Sequence, residues 1–132
     1  MTTNMFTTEV TLKDRYTTLV FKLKKFLGIK PREYILCAAI WYNDGKEYVH
    51  QPKNIHKGIV IAGRRHHNCF ITLYILKGKG NYDANLIEQG FITSFDRYVS
   101  RSLAYCIAKK AGQLFSGLIH DDNPILISEE LY

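Results

Sequence analysis

Apolar residues between Asp14 and Leu27 recur every three or four positions, while lysines occupy largely the other side of the same segment. This period is typical of an amphipathic helix. The stripe consists of Tyr16, Leu19, Val20, Leu23, Phe26 and Leu27. Gly28 and Pro31 predict where the helix ends. The Thr-rich residues 1–11 predict a loose tail, so residues 1–32 form a tail plus a helix.

A basic amphipathic helix can lie on a membrane surface. Packing on a folded domain or on a neighbouring subunit is the commoner role, and we therefore predict no membrane partner. No apolar run in the chain reaches the roughly 20 residues needed to cross a bilayer.

The apolar run Tyr34–Tyr42 is followed by Asn43-Asp44-Gly45, which is a strong tight-turn signal. Residues 46–50 alternate in part between apolar and polar side chains, so residues 34–50 are predicted to form a β-hairpin. The segment Gly58–Ala62 predicts a third strand. Gly63 would then let the chain turn sharply into the residues that follow.

Residues 68–76 contain β-branched side chains, which favour a strand. Their apolar residues are spaced by four and three positions, which favours a helix, and we predict a helix starting at Asn68. A second hairpin is predicted for residues 90–93 and 97–99. Ser100 caps a further helix, and Ile125–Ile127 is predicted as a last strand after a turn at residues 121–124. Residues 33–132 thus form one α+β domain, with an antiparallel sheet built from hairpins and helices packed on one face.

The charge distribution indicates an anionic partner. The chain has 18 basic and 12 acidic side chains, yet the thirty residues 53–82 contain six cations and no Asp or Glu. Arginine favours phosphate or carboxylate, because its planar fork binds such groups bidentately. A helix that starts nearby would add its positive N-terminal end. The candidate binding residues in this run are Arg64, Arg65, His66 and His67.

A second candidate cluster follows along residues 89–101, where aromatic rings, hydroxyls and two guanidinium groups alternate. An aromatic ring could stack on a base, at about 1–3 kcal/mol per base, while an arginine binds a phosphate. The candidates are Phe91, Thr93, Arg97, Tyr98 and Arg101. Both clusters are expected to surround one hollow, so that alanine at Arg65 or Phe91 would weaken binding without lowering the melting temperature.

Enzymatic chemistry has weak support in the sequence. The histidines lack Cys or carboxylate neighbours at metal-ligand spacing, and neither a phosphate-binding loop nor a dinucleotide motif is present. We predict no catalytic residue, no metal and no cofactor, although His66 or His67 could act as a general base. Three dispersed cysteines indicate small buried side chains rather than disulfides. The N-terminus lacks the pattern of a signal peptide, which leaves a reducing cytoplasm as the expected compartment.

At these residues a family likeness emerges. The blocks CAAIWY, GRRHHNCF, QGFITSFDRYVSRSLAYCIAKKAGQ and LISEELY, within about residues 35–132, resemble small phage and prophage proteins, in particular the Thoeris anti-defence family. The resemblance implies an α+β fold, self-assembly (a hexamer is one candidate) and capture of cyclic ADP-ribose isomers or cyclic oligonucleotides in the infected bacterium. It also implies that Phe91 stacks on a base, that Thr93 and Arg97 contact ribose or phosphate, and that Arg65 and His66 bind phosphate.

Three hypotheses follow. The first is a non-catalytic protein that sequesters a cyclic nucleotide signal without degrading it. The second is a nucleic-acid-binding phage accessory protein, which would show a steep dependence of affinity on salt. The third is a small nucleotide-processing enzyme that uses His66 or His67.

Overall fold

The computed structural model describes residues 5–114 and 124–131, with side chains from residue 12 onward. The chain divides into two compact units, Met1–Arg32 and Glu33–Tyr132. Residues 121–123 of the predicted turn lie outside the described residues. Within the described residues, no helix has the length and apolarity needed to cross a bilayer.

The first unit contains helix α1, Met5–Phe26. The predicted helix is present, but it begins nine residues before Asp14, so the loose tail predicted for residues 1–11 is wrong from Met5 onward. Threonine lowers helix propensity only modestly. Thr17 and Thr18 each donate a hydroxyl hydrogen bond of 2.8 Å to the carbonyl four residues earlier, which keeps these polar groups satisfied within the helix. Gly28 follows with a φ of +71°.

The second unit is built on a four-stranded antiparallel sheet. Its strands are β1 (Ile35–Tyr42), β2 (Ile59–Gly63), β3 (Ile87–Thr93) and β4 (Tyr98–Ser100), in the order β2-β1-β3-β4. The strands predicted near residues 58–62 and the hairpin around residues 94–96 are confirmed. Asp96 adopts a φ of +58° in that turn, a conformation that Asp tolerates better than most residues.

The predicted hairpin over residues 34–50 is wrong. Residues 46–50 form no strand, and β1 pairs instead with β2, with Tyr42 opposite Ile59. The Asp44 carboxylate explains the difference, because it accepts hydrogen bonds from the Lys46 amide (3.0 Å) and from the Tyr48 hydroxyl (2.5 Å). These bonds fold the chain into a local loop after the turn rather than back along β1.

Two helices cover one face of the sheet. Helix α2 is His66–Lys77 and helix α3 is Arg101–Lys110. Ala38 and Ile40 point to the same face of β1, and they pack in the clusters that contain α3 and α2 respectively. Ala39 points to the other face, where it packs with Ile55 from the long β1–β2 loop. The α+β class and its antiparallel sheet are therefore as predicted.

The C-terminal segment lies beside the start of α3. Ile125–Ile127 is not a strand, contrary to the prediction, because its pairing is confined to one residue. The Leu126 amide donates to the Arg101 carbonyl, and the Arg101 Nε donates to the Leu126 carbonyl, both at 3.0 Å. Leu126 is fully buried. A 3-10 turn follows at Ser128–Glu130.

Candidate functional site

The basic run Arg64–His67 lies where β2 ends and α2 begins. Arg65 is the N-cap of α2, and the Asn68 side-chain oxygen accepts a hydrogen bond of 3.1 Å from the Arg65 amide. The cap thus lies three residues before the predicted one at Asn68. Arg64 and His67 are exposed, whereas Arg65 and His66 are half-buried. The four residues therefore lie at the positive end of a twelve-residue helix.

Gly63 allows this close junction through its size rather than its backbone conformation. Its φ is not in the left-handed region, contrary to the sharp turn expected from the sequence. A Cβ at this position would lie 3.0 Å from Cys69 Sγ and 3.2 Å from the Cys69 amide nitrogen. Glycine is needed here because the end of β2 packs directly against the first turn of α2.

His66 joins the basic run to the sheet. Its Nε2 lies 2.9 Å from the Gly90 carbonyl of β3, and its ring packs edge-on against Phe91 with centroids 5.0 Å apart. Because a carbonyl can only accept, Nε2 carries the hydrogen and donates. Burial lowers the pKa of His66, and the nearby Arg101 guanidinium lowers it further. The imidazole is therefore neutral at pH 7, with Nδ1 left as an acceptor.

The start of α3 meets the same place. Gly90 pairs across the sheet with Ser100, the N-cap of α3, whose hydroxyl accepts a hydrogen bond of 3.3 Å from the Leu103 amide. The next residue, Arg101, is close enough to affect the pKa of His66. The first turns of two helices thus lie beside Gly90 of β3, with Arg101 near His66 and Arg65 near Glu129. This arrangement favours a bound anion.

A carboxylate from the C-terminal turn also belongs to this cluster. The pKa of Glu129 is lowered, chiefly because its own backbone amide hydrogen-bonds to it, with further contributions from Arg65 and His66. Glu129 is exposed. It therefore places a negative charge beside the cations of this cluster. We name Arg64, Arg65, His66, His67, Arg101 and Glu129 the α2–α3 cluster.

Thr93 and Arg97 lie at a different place and bind a carboxylate of the protein itself. Arg97 donates to both oxygens of Glu33, from Nε at 2.9 Å and from Nη2 at 2.8 Å, and the Thr93 hydroxyl donates to Glu33 Oε1 at 2.6 Å. The Arg97 guanidinium holds the pKa of Glu33 below its usual value. The predicted ribose or phosphate contacts are thus occupied by a bidentate ion pair. We name Glu33, Thr93 and Arg97 the Glu33 latch.

Two further predicted ligand contacts belong to the core. Phe91 has no exposed surface and packs with β1, β4 and α3, so the expectation that its ring stacks on a base is wrong in this structure. Tyr98 is also buried, and its hydroxyl donates to the Glu88 carbonyl at 3.1 Å. Alternation along a strand explains both positions, because each residue points to a covered face of the sheet.

An open cleft lies beside the β3–β4 turn. Among its lining residues are Lys53, Phe95, Asp96 and Arg97. Phe95 is partly exposed, so the aromatic ring that this hairpin presents to solvent is Phe95 rather than Phe91. Asp96 places a negative charge in the same cleft, and none of the lining residues begins a helix, whereas two helices begin at the α2–α3 cluster.

The structure therefore separates the nine predicted site residues. Arg64, Arg65, His66, His67 and Arg101 share one cluster, whereas Thr93 and Arg97 form a latch and Phe91 and Tyr98 are core. Sequence reasoning missed Glu33. This residue lies 60 positions from Thr93, and nothing in the local sequence links the two. It also missed Glu129, although this residue lies within the quoted C-terminal block. Among the described residues, no group of three metal-binding side chains is present.

Two of the three cysteines are structural in character. Cys69 is fully buried in the core between α2 and the sheet, and burial raises the pKa of its thiol to about 11. Cys37 is half-buried, and burial raises its thiol pKa as well. The prediction that all three cysteines are buried is wrong for Cys106, which lies exposed on α3. The raised pKa values of Cys37 and Cys69 disfavour the reactive thiolate form.

Comparison with known proteins identifies a family. A family model described as phage T4 y16D protein matches residues 34–132, so the chain belongs to that family, which indicates a phage protein. No curated protein and no solved structure matches the chain. The match begins where the second unit begins, and it includes the α2–α3 cluster and most of the latch.

Proposed function

We propose that this phage protein is an accessory factor that binds a phosphate-bearing cyclic nucleotide at the α2–α3 cluster and sequesters it without degrading it. The observation that supports binding there is the convergence of two helix N-termini with Arg64, Arg65 and Arg101 around His66. Helix N-termini and guanidinium groups both stabilise phosphate, the first through amides and dipole and the second through bidentate hydrogen bonds.

The sequestering role rests on the resemblance of the sequence blocks to the Thoeris anti-defence family and on the character of the cluster. A stoichiometric trap must bind tightly, since nanomolar affinity corresponds to about −12 kcal/mol. Hydrogen bonds to charged groups contribute about 1.5–3 kcal/mol each. Several such bonds at the cluster would supply most of this free energy. Phe91, which has no exposed surface, is not part of this proposal.

Ligand binding and ligand fate can be tested together. Purified full-length protein is screened by thermal shift and calorimetry against cyclic ADP-ribose isomers, cyclic dinucleotides and inorganic phosphate. Bound material is then released by heating and identified by mass spectrometry. We expect a cyclic compound to raise the melting temperature and to be recovered unchanged. Recovery of a cleaved product would show an enzyme, and absence of binding by every cyclic compound would contradict the proposal.

Nucleic-acid binding is a second candidate, favoured by the exposed cations Lys53, Lys57, Arg64 and Lys79 in the second unit. The two candidates differ in their salt dependence. A protein that neutralises many phosphates along a strand loses affinity steeply as salt rises, whereas a compact ligand with few phosphates gives a shallow slope. Titration of single- and double-stranded oligonucleotides at two salt concentrations distinguishes them.

A further inference from the structure

The outermost strands of the sheet are β2 and β4. Along such a strand, every second residue turns its amide and carbonyl away from the sheet, and these groups are a template for pairing with another extended chain. In β4 the outward residue is Tyr98, because the Arg97 carbonyl before it accepts a hydrogen bond of 2.9 Å from the Thr93 amide of β3. Tyr98 is therefore where an added strand would pair with this edge.

The Asn54 side chain makes the two hydrogen bonds that an added strand would make to Tyr98. Its Nδ2 donates to the Tyr98 carbonyl at 2.6 Å, and its Oδ1 accepts from the Tyr98 amide at 2.8 Å. A carboxamide carries a donor and an acceptor side by side, so it can satisfy both backbone groups of one residue. The outward groups of Tyr98 are thus already paired within the chain.

Gln51 caps the opposite edge of the sheet. Its Oε1 accepts a hydrogen bond of 2.8 Å from the Val60 amide of β2. Its Nε2 donates to the Val49 carbonyl at 3.1 Å, which fixes the orientation of the carboxamide. The Val60 amide therefore bonds to a side chain of the preceding loop, where an added strand would otherwise supply the acceptor.

A short loop thus reaches both edges of a four-stranded sheet. The edge strands are three strand spacings apart, or about 14 Å, whereas three residues of extended chain reach only about 10 Å. The carboxamide side chains of Gln51 and Asn54 provide the remaining reach. We name residues 51–54 the strap.

Other contacts hold the strap in place. The Lys53 amide donates to the Asp96 carbonyl of the β3–β4 turn at 2.8 Å, and Pro52 is buried. Ile55, which follows the strap, packs with Ala39 on the face of the sheet opposite the helices. The strap is therefore anchored by backbone and apolar contacts as well as by its two carboxamides.

We propose that the strap blocks strand pairing at Val60 and Tyr98, and so keeps the sheet from adding an extended strand of another chain, a second copy of this one included. Natural sheets protect their edges because unpaired edge groups promote association. A side-chain carboxamide satisfies those groups and offers no continuous backbone on which a further strand could build. This proposal is independent of any ligand at the α2–α3 cluster.

Hydrogen exchange tests the two caps separately in the full-length protein. Asn54→Ala should speed exchange of the Tyr98 amide by about fivefold to tenfold, as expected for the loss of one hydrogen bond. Gln51→Ala should do the same at the Val60 amide. Each variant is the control for the other, because the amide whose cap is intact should keep its wild-type rate. Unchanged rates at both amides, or an equal increase throughout the sheet, would contradict the proposed caps.

Light scattering over a range of protein concentrations tests the blocking of association. We expect Asn54→Ala to have a higher mass than the wild type at the same concentration, and this excess should grow with concentration. Asn54→Asp also loses the bond to the Tyr98 carbonyl, but it places a charge on the edge, and charged side chains oppose strand docking. Its mass should therefore equal that of the wild type.

Ile55→Ala is the matched control for lost stability. It removes buried apolar surface beside the strap and leaves both carboxamides in place, so its mass should also equal that of the wild type. A wild-type mass for Asn54→Ala at every concentration would overturn the proposal. Similar association of Asn54→Ala, Asn54→Asp and Ile55→Ala would show that lost stability causes it, and would overturn the proposal as well.

Discussion

The α2–α3 cluster and the Glu33 latch look alike in sequence and differ in structure. Each combines guanidinium groups with nearby polar or aromatic side chains. At the latch, both oxygens of one carboxylate from the protein itself accept hydrogen bonds from Arg97. At the α2–α3 cluster, Arg64 is exposed at the start of a helix, and the internal carboxylate of Glu129 is exposed as well.

This difference teaches that an arginine beside aromatic and hydroxyl side chains in the sequence does not by itself indicate a ligand site, because Arg97 binds a carboxylate of the protein. The latch carboxylate comes from Glu33, which precedes β1, and the strand pairing of Ile35 with Thr93 brings it to Arg97. The structural role of Arg97 therefore depends on long-range strand pairing and not on its local sequence. Substitutions at the two sites should then separate stability from binding.

The largest effect is expected from Phe91→Ala. Removing a fully buried phenylalanine leaves a cavity and costs about 3–5 kcal/mol of unfolding free energy, a large share of the 5–15 kcal/mol typical of a domain. Chemical denaturation followed by circular dichroism measures this loss. Phe95→Ala, in the same hairpin but partly exposed, is the matched control and should change stability by roughly 0.5 kcal/mol or less. A stable Phe91→Ala protein with impaired ligand binding would restore the stacking role.

The next largest effect is expected at the latch. Arg97→Gln removes two charge-assisted hydrogen bonds from Glu33. We expect a loss of about 1 kcal/mol of unfolding free energy, less than buried bonds of this kind would give, because the arginine side chain is 40% exposed. Ligand affinity should stay unchanged. Glu33→Gln and the double variant complete a cycle that isolates the pair. An Arg97→Gln protein of normal stability that no longer binds ligand would move Arg97 into the binding site.

Acid should weaken the latch in a defined direction. The pKa of Glu33 is lower in the folded protein than its usual value of 4.5. Its contribution to stability is therefore fully present above about pH 4.5 and disappears as the pH falls through the lowered pKa. In Arg97→Gln the depression is largely removed, so the loss of stability on acidification should be smaller than in the wild type.

Much of the fold follows from local sequence. The α3 cap at Ser100, the hairpin around Asp96 and the strand at residues 58–62 each depend on a few neighbouring residues whose preferences agree. The hairpin over residues 34–50 could not be predicted correctly, because Asp44 binds Lys46 and Tyr48 and ends the pairing there. The strand that pairs with β1 in place of residues 46–50 is β2, which follows a long loop, and local turn signals do not predict this pairing.

The candidate site was predictable only where its residues are neighbours in the sequence. Arg64–His67 are consecutive, so their gathering needs no knowledge of the fold, and the addition of Arg101 needs only the pairing of Gly90 with Ser100. The burial of Phe91 depends on which face of β3 the helices cover. The sequence pattern around Phe91 does not reveal that face, because Phe91 and Ile92 are both apolar.

A smaller effect is expected from Arg64→Gln at the α2–α3 cluster. Arg64 is exposed, so the unfolding free energy should change by roughly 0.5 kcal/mol or less. Ligand affinity should fall about tenfold, which corresponds to about 1.4 kcal/mol. Calorimetry with the cyclic ligand measures this change. Lys57→Gln removes an exposed cation elsewhere in the same unit and should have little effect. Equal losses in both variants would indicate nonspecific attraction to net charge rather than a site.

The smallest expected effect is a dependence of affinity on pH through His66. In the unliganded protein, burial and Arg101 keep the pKa of His66 below 6.5. A phosphate beside the ring stabilises the imidazolium and raises that pKa, so binding takes up a proton. Affinity should therefore rise a few-fold as the pH falls from about 7.5 to about 5.5. Without ligand, lower pH has the opposite effect on the free energy of unfolding. That free energy falls as the pH drops below 6.5, because His66 binds a proton more readily in the unfolded chain than in the folded one.

A ligand whose phosphates are all diesters isolates the protein's contribution to the pH dependence of affinity, because such a ligand does not titrate over the pH range tested. Calorimetry in two buffers of different ionisation enthalpy measures the proton taken up. His67→Gln, which changes the exposed neighbour, should retain the pH dependence, whereas His66→Gln should lose it. An affinity that is constant over this range in the wild type would place the phosphate out of reach of His66, and binding would then depend on Arg64 and the outer edge of the cluster.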